Sequence, residues 1–261
     1  MDIKKNEVDH ELEQGQGYFL GLGLGFNELE QVRGFVTTHW LETINKAAPS
    51  THHIFEQKGI EQYHEFSNLL DHGSIWSKSS RMFPHNIVQK IRKMSLITNL
   101  EKIYGSIEIV DEENLGYEEI DWRLVRPNQW SDIGPLHADS WFCELGHGVP
   151  PPPGKKAIKV WVALCCEPGK NGLNVVPHSQ KRSWRYHGES RHGFVKPQID
   201  EDETKLNAIL VHTKPGDAIV FHDKLLHGGA LNKGLFTRVS MEFMVFVTAN
   251  SIQPLKKKCY S

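Results

Sequence analysis

Hydrophobic positions along this chain change period near residue 105. Before that point Leu29, Val32, Val36, Trp40 and Ile44 recur three and four apart, which places them on one face of a helix. Asn27 followed by Glu30 reads as its capping pair. A second helical stretch is expected near 60–71. A third begins at Pro84, a good first-turn residue. Ile87, Ile91, Met94, Leu100 and Tyr104 supply its apolar stripe, and Gly105 stands where it should stop. From about 106 the period moves toward two. SIEIV, EEIDWRLV, AIKVWVALC, LNVV, AILVHT, DAIVF and FTRVSMEFMVFV all read as strands. Turns separate them at Pro150 to Gly154, Pro168 to Gly172 and Pro215-Gly216-Asp217. Many short strands with such breaks predict an antiparallel sandwich or jelly roll. No internal repeat is visible, and PPPPG at 150–154 reads as a stiff loop between strands that belong together.

The expected organisation is one α+β domain over 1–261. Residues 1–105 form a mainly helical part and 106–250 a β-core. The polar stretch 178–203 is either a lid or a disordered excursion, and 251–261 form a tail. Charge adds little to this picture: 30 Lys+Arg against 32 Asp+Glu leave no global pull toward nucleic acid or membrane. The polar start MDIKKNEVDHELEQ is not the pattern of a secretory signal. No apolar run approaches the length of a membrane span. The four cysteines, Cys143, Cys165, Cys166 and Cys259, include no CxxC pair. They are expected as reduced thiols of a cytoplasmic protein.

Candidate chemistry lies in three places within the β-region. His137-Ala138-Asp139 is the one His-x-Asp of the chain. In an extended segment, residues two apart point to the same face, so both side chains can reach one ion. His227 follows the strand DAIVF by a short turn. Two imidazoles and a carboxylate can occupy one face of Fe(II) and leave positions open for a cosubstrate and O₂, and no thiolate here favours structural zinc. His222, at the end of the same strand, competes with His227 as third ligand. Arg238 lies eleven residues after His227, a fixed cation for the far carboxylate of a 2-oxo acid.

The segment PGDAIVFHDKLLHGGALNKGLFTRVSMEF resembles the C-terminal signature of the phytanoyl-CoA dioxygenase family of Fe(II)/2-oxoglutarate oxygenases. Gly216, Asp217, Phe221, His227, Asn232 and Arg238 match that signature in order. Upstream, IKVWVAL and NGLNVVPHS resemble the family's Trp-bearing strand and its Asn-Gly-x-x-x-x-Pro turn. The resemblance covers about residues 119–247. It implies a double-stranded β-helix, with the N-terminal helices packed on one sheet. It also implies Fe(II), 2-oxoglutarate and O₂, with ascorbate as an assay additive. His137, Asp139 and His227 would bind iron and be catalytic, in preference to His222. Arg238 would hold the C5 carboxylate of 2-oxoglutarate, with Trp161 lining that pocket. Asn128 would contact the cosubstrate or serve as a strand-end turn residue. Relatives often carry Ser two residues after the distal His, where this chain has Gly229. Related halogenases lack the carboxylate, so Asp139 points to hydroxylation over halogenation, with desaturation and cyclisation left open.

The stretch HSQKRSWRYHGESRHG at 178–193 carries Lys181, Arg182, Arg185 and Arg191 against one acid, Glu189. Arg182, Arg185 and Arg191 are therefore candidates for meeting a substrate anion. Trp141, Trp184 and Tyr186 are candidates for stacking on its body. A polar, anionic small molecule or glycan is the expected partner, for example an acidic sugar such as Kdo of lipopolysaccharide. An acyl-CoA is the alternative within the family. A cupin-like metal- or sugar-binding protein without oxygen chemistry and a hydroxylase of a partner protein are readings of other classes. No nucleic-acid partner is expected. Lys256-Lys257-Lys258 reads as a solubilising tail, with weak contact to anionic lipid as the sharper alternative. The sequence sets no oligomeric state.

Overall fold

The computed structural model describes residues 3–191 and 194–249. The tail expected at 251–261, with Cys259 and the lysine run, lies outside the described residues, as does the side chain of Arg191. The elements are α1 (Lys5–Glu13), β1 (Tyr18–Gly23), α2 (Phe26–Ala47), α3 (His52–Lys58), α4 (Tyr63–Phe66), α5 (His72–Ile75), α6 (His85–Ile91) and α7 (Ser95–Tyr104). They continue with β2 (Glu108–Ile109), β3 (Asp121–Val125), α8 (Ser140–Glu144), β4 (Lys155–Cys165), β5 (Leu173–Val175), β6 (Tyr186–Arg191), β7 (Phe194–Ile199), β8 (Ile209–Leu210), β9 (Asp217–His222), β10 (His227–Gly229) and β11 (Arg238–Thr248). Among the described residues, no helix is long and apolar enough to cross a membrane.

The strands are antiparallel. The larger sheet runs β1-β9-β4-β11-β2, with β3 also paired to β11; a smaller one runs β10-β5-β8. Strand alternation gives the larger sheet two different faces. Its outer face presents Ile158, Val160, Val162, Leu164, Val239, Met241, Phe243 and Val245. These pack against the helical stripe of Leu29, Val32, Val36, Trp40 and Ile44 in one core cluster. Its inner face presents Trp161, Ala163, Ile219 and Phe221, which pack against Leu173 and Val175 of the smaller sheet. Both faces of β4 are therefore covered, which is why its sequence reads as a nearly unbroken apolar run.

Several expected boundaries move. α2 starts earlier than the Asn27–Glu30 pairing implied: the Gly25 amide donates to Glu28 Oε2 at 3.1 Å. Glu28 also accepts from the Ser95 amide at 2.7 Å. That contact between helices caps α7 and splits the expected 84–104 helix into α6 and α7, with Met94 extended at the break. Pro84 sits just before α6 rather than in its first turn. The 60–71 stretch is only one helical turn flanked by 3₁₀ turns; Ser67 Oγ donates to the carbonyl of His64 and competes with continued helix.

β1 is a strand inside the region expected to be helical. Its YFLGLG sequence lacks clean alternation because the pairing with β9 is bulged between Leu20 and Leu22. Gly23 is needed there, since a Cβ would come within 2.4 Å of the Gly216 carbonyl oxygen. Within 178–203 the chain forms the hairpin of β6 and β7 rather than a structureless excursion.

Candidate metal centre

His137 and His227 are joined through the backbone before any ion is considered. The His137 amide donates to the His227 carbonyl at 3.0 Å, and the His227 amide returns the bond at 2.9 Å. This isolated bridge sets the two rings 4.5 Å apart, centroid to centroid. Each ring is then turned by its own chain. Nδ1 of His137 lies 3.0 Å from the Pro135 carbonyl, and Nδ1 of His227 lies 3.0 Å from the Leu225 carbonyl. A carbonyl only accepts, so Nδ1 carries the proton in the neutral rings and Nε2 keeps its lone pair. Orientation of this kind is what outer partners of metal-bound histidines supply.

Asp139 precedes α8, but its side chain makes no capping bond. Its Oδ1 lies 3.7 Å from Nε2 of His227 and 3.9 Å from Nε2 of His137. Its Oδ2 is buried without a partner. One ligand atom from each of the three residues falls within 4.8 Å of the others. An ion bound at about 2.1 Å holds neighbouring ligands about 3 Å apart, so closing by at most about 2 Å would complete the shell. Burial, with the neighbouring His227, pushes the pKa of His137 down to about 4 and keeps the imidazole in its ligating form.

His222 is excluded from this group. Its Nε2 lies 3.3 Å from Glu13 and its Nδ1 2.8 Å from Asp223. Burial opposes its charge, but the hydrogen bonds of Asp223 and Glu13 outweigh it and push the pKa up to about 9. Glu13 is held at about 2, first by its hydrogen bond to His222. His222 therefore fastens α1 to the end of β9. A raised imidazole pKa adds stability that is whole below about 6.5 and lost as pH rises through 9. A depressed carboxyl pKa adds stability that is whole above 4.5 and lost as pH falls through 2. Glu13 is partly exposed, which discounts the effect to the order of 2 kcal/mol. The urea midpoint should accordingly fall between pH 6.5 and 9, and Glu13→Gln should flatten that slope; equal slopes would remove this ion pair from the account.

Arg238 opens β11 and is 3 % exposed. Nη1 donates to the Gly172 carbonyl at 2.6 Å, whereas Nε is buried without a partner. No acid lies within ion-pair distance of it among the described residues. The guanidinium sits 5.6 Å from the centre of the Trp161 ring. Burial lowers its pKa to about 10. An unpaired buried cation is costly, and this one faces the same interior as Trp161. A Cβ on Gly229 would meet Ile133 at 3.4 Å and Arg238 Nη2 at 3.9 Å, so glycine leaves space beside the guanidinium.

The approach to Arg238 is fixed by two asparagines whose roles the sequence did not assign. Asn232 is fully buried. Its Nδ2 donates to the carbonyls of Val125 and Phe236 at 2.9 and 2.8 Å, and its Oδ1 accepts from Asn171 Nδ2 at 2.8 Å. Asn171 adjoins Gly172, which accepts from Arg238, so the Asn-Gly turn and the Asn-to-Arg loop are bolted together. The Asn-Gly dipeptide and the Asn six residues before Arg238 were the available signal. Asn128 has the left-handed backbone of a turn, with φ 55°, and its amide donates to the Asn232 carbonyl at 2.8 Å.

The remaining candidates are dispersed. Trp141 is 5 % exposed and stacks on Tyr186 at 4.3 Å, so both rings pack α8 against the hairpin. Arg182 and Arg185 are exposed. Arg182 lies 3.3 Å over Trp184, and neither arginine is hydrogen-bonded or ion-paired to the three clustered residues. Lys159 was missed; a single lysine inside the apolar run IKVWVAL was the signal for it.

No curated protein matches this sequence. Among solved structures, the chain is similar to EvdO2 from Micromonospora carbonacea var. aurantiaca, at TM-score 0.59 and 12 % identity, covering 95 % of this chain and 94 % of that one. It is also similar to EctD from S. alaskensis with 2-oxoglutarate and 5-hydroxyectoine, at 0.53 and 14 %, covering 95 % and 78 %. A third is the non-heme alpha ketoglutarate dependent carbocyclase SnoK from nogalamycin biosynthesis, at 0.51 and 14 %, covering 95 % and 85 %. At such identities these likenesses show a common fold. The family model described as phytanoyl-CoA dioxygenase (PhyH) matches residues 32–240, and the chain therefore belongs to that family of non-haem Fe(II)/2-oxoglutarate-dependent dioxygenases.

Proposed function

We propose that this dioxygenase hydroxylates a polar, anionic small molecule or glycan in a double-stranded β-helix, with His137, Asp139 and His227 as the iron ligands. Arg238 takes the C5 carboxylate of 2-oxoglutarate, beside Trp161, and Asn128 serves the turn that supports it. The observation that carries this reading is a pair of orphaned buried atoms of opposite charge: Asp139 Oδ2 and Arg238 Nε. A ferrous ion supplies the missing partner of the first and a keto-diacid that of the second. Bound iron with 2-oxoglutarate supplies the oxidising power, coupled to decarboxylation to succinate. The chain's own residues orient the cosubstrate, shield the site from water and hold the substrate. Asp139 would supply the carboxylate ligand that related halogenases lack, which favours hydroxylation. An acidic sugar such as Kdo is the glycan we would test first, and an acyl-CoA the competing substrate. A binding barrel without oxygen chemistry has no use for a buried unpaired guanidinium, so Arg238 speaks against that class. The free thiols of Cys143, Cys165 and Cys166 support a cytoplasmic setting.

Anaerobic titration with Fe(II) and 2-oxoglutarate tests the proposal. A weak visible charge-transfer band is expected, followed by succinate when O₂ is admitted. Metal binding without that band would favour the binding barrel.

A further inference from the structure

Beyond the clustered residues, the inner face of the larger sheet carries a row of charges inside the fold. Asp121 and Arg123 on β3 lie opposite Glu242 and Ser240 on β11, and Lys159 on β4 lies opposite Met244 of β11 and Phe221 of β9. Nearly every charge around this row has a counter-charge in reach. Arg123 Nη1 is 3.4 Å from Glu242, Arg81 Nη1 is 3.3 Å from Asp121, and Lys78 Nζ is 3.1 Å from Glu112. Burial disfavours the charge of Lys159, but the carboxylates of Glu112, Asp139, Glu242 and Asp121 outweigh it and keep the side chain protonated, though none bonds to it. Lys159 is 9 % exposed, and among the described residues no hydrogen bond or ion pair reaches its ammonium.

Its position relates it to the metal centre. Phe221, its cross-strand neighbour, has its ring 4.6 Å from that of His227. Trp161, two residues along the same strand and therefore on the same face, is the ring beside Arg238. Lys159 thus faces the interior shared by the clustered residues and the cosubstrate cation, about 7 Å of strand from Trp161.

We propose that Lys159 is the substrate's anchor, binding a single carboxylate of a small acid so that the rest of the molecule faces His137, Asp139 and His227. This rests on the functional reading above and narrows its substrate to carboxylates. The surrounding acids keep the ammonium charged without accepting its hydrogen bonds, and a substrate carboxylate supplies the direct, charge-assisted acceptor. One ammonium with no directly bonded acceptor suits a single carboxylate. A phosphate dianion would leave surplus charge beside Asp121 and Glu242. Under this reading Arg238 already takes the far end of 2-oxoglutarate, which leaves Lys159 for the substrate. The anion is then recognised inside the fold, not by the exposed Arg182 and Arg185.

The test uses full-length protein loaded anaerobically with Fe(II) and 2-oxoglutarate. Its probes are sugar acids, amino acids and aliphatic acids, each paired with its primary amide, together with sugar phosphates. Melting temperature and substrate-stimulated succinate formation are both read. Particular acids, and not their amides, should raise the melting temperature of the wild type. Lys159→Met should weaken that response at least about tenfold, with Lys159→Arg retaining part of it. The visible band and its half-saturating 2-oxoglutarate should stay unchanged in Lys159→Met. If Lys159→Met fails to fold by circular dichroism, Lys159→Gln takes its place. Loss of the band in a folded variant would assign Lys159 to the cosubstrate and overturn the inference. So would equal responses to acid and amide, a stronger response to phosphates, no response to any acid, or an undiminished response in the variant. A wild type without the band would instead overturn the functional reading.

Discussion

Asp139→Ala should reduce succinate formation by more than about 100-fold, because removing only an outer partner of a metal ligand costs about 10–100-fold. The visible band with Fe(II) and 2-oxoglutarate should disappear with it. Two features of the structure separate this outcome from simple unfolding. The Asp139 side chain makes no capping bond to α8, so alanine removes no helix cap. Its Oδ2 is buried and unpartnered, so the metal-free protein carries a desolvation cost there that alanine relieves. The metal-free variant should therefore melt at or above the wild-type temperature while losing activity. Turnover within about tenfold of wild type, with the band intact, would end the assignment of Asp139 to iron.

The parts of this architecture that could be read in the sequence are those set by local periodicity. The α2 stripe from Leu29 to Ile44 is buried as its spacing requires, and the apolar runs of β4 and β11 lie at the centre of the larger sheet. What could not be read depends on contacts distant in sequence. Glu28 decides where α7 begins by bonding Ser95. β1 exists because β9 pairs with it across a bulge, and its two glycines hide the alternation. The clustered residues follow the same division. His137, Asp139 and Arg238 stand out as residue types at telling spacings. The resemblance already preferred His227 to His222; the reason His222 stays away is visible only in the position of α1, where Glu13 holds it. Lys159 passes as a stray charge until the three-dimensional structure shows it facing the interior among acids that do not bond to it.

Arg238→Met should move two properties in opposite directions, and that divergence is the sharpest test of the cosubstrate site. In the metal-free protein the guanidinium is buried, that burial drives its pKa down to about 10, and Glu242 and Asp132 offset this only in part. A charge so placed costs a few kcal/mol. Losing the bond from Nη1 to the Gly172 carbonyl costs about 1 kcal/mol, so methionine of similar length should leave the melting temperature equal or higher. The response to cosubstrate should go the other way. For the wild type with iron, 2-oxoglutarate at about 100 times its Kd stabilises by about 2.7 kcal/mol. That corresponds to about 5–10 °C for a chain of this size. The shift should vanish in Arg238→Met and be only partly restored in Arg238→Lys, because an ammonium lacks the planar fork that grips both carboxylate oxygens. If the variant instead melts lower and still shows the full shift, the guanidinium is a structural tie to Gly172 and the keto-diacid binds elsewhere.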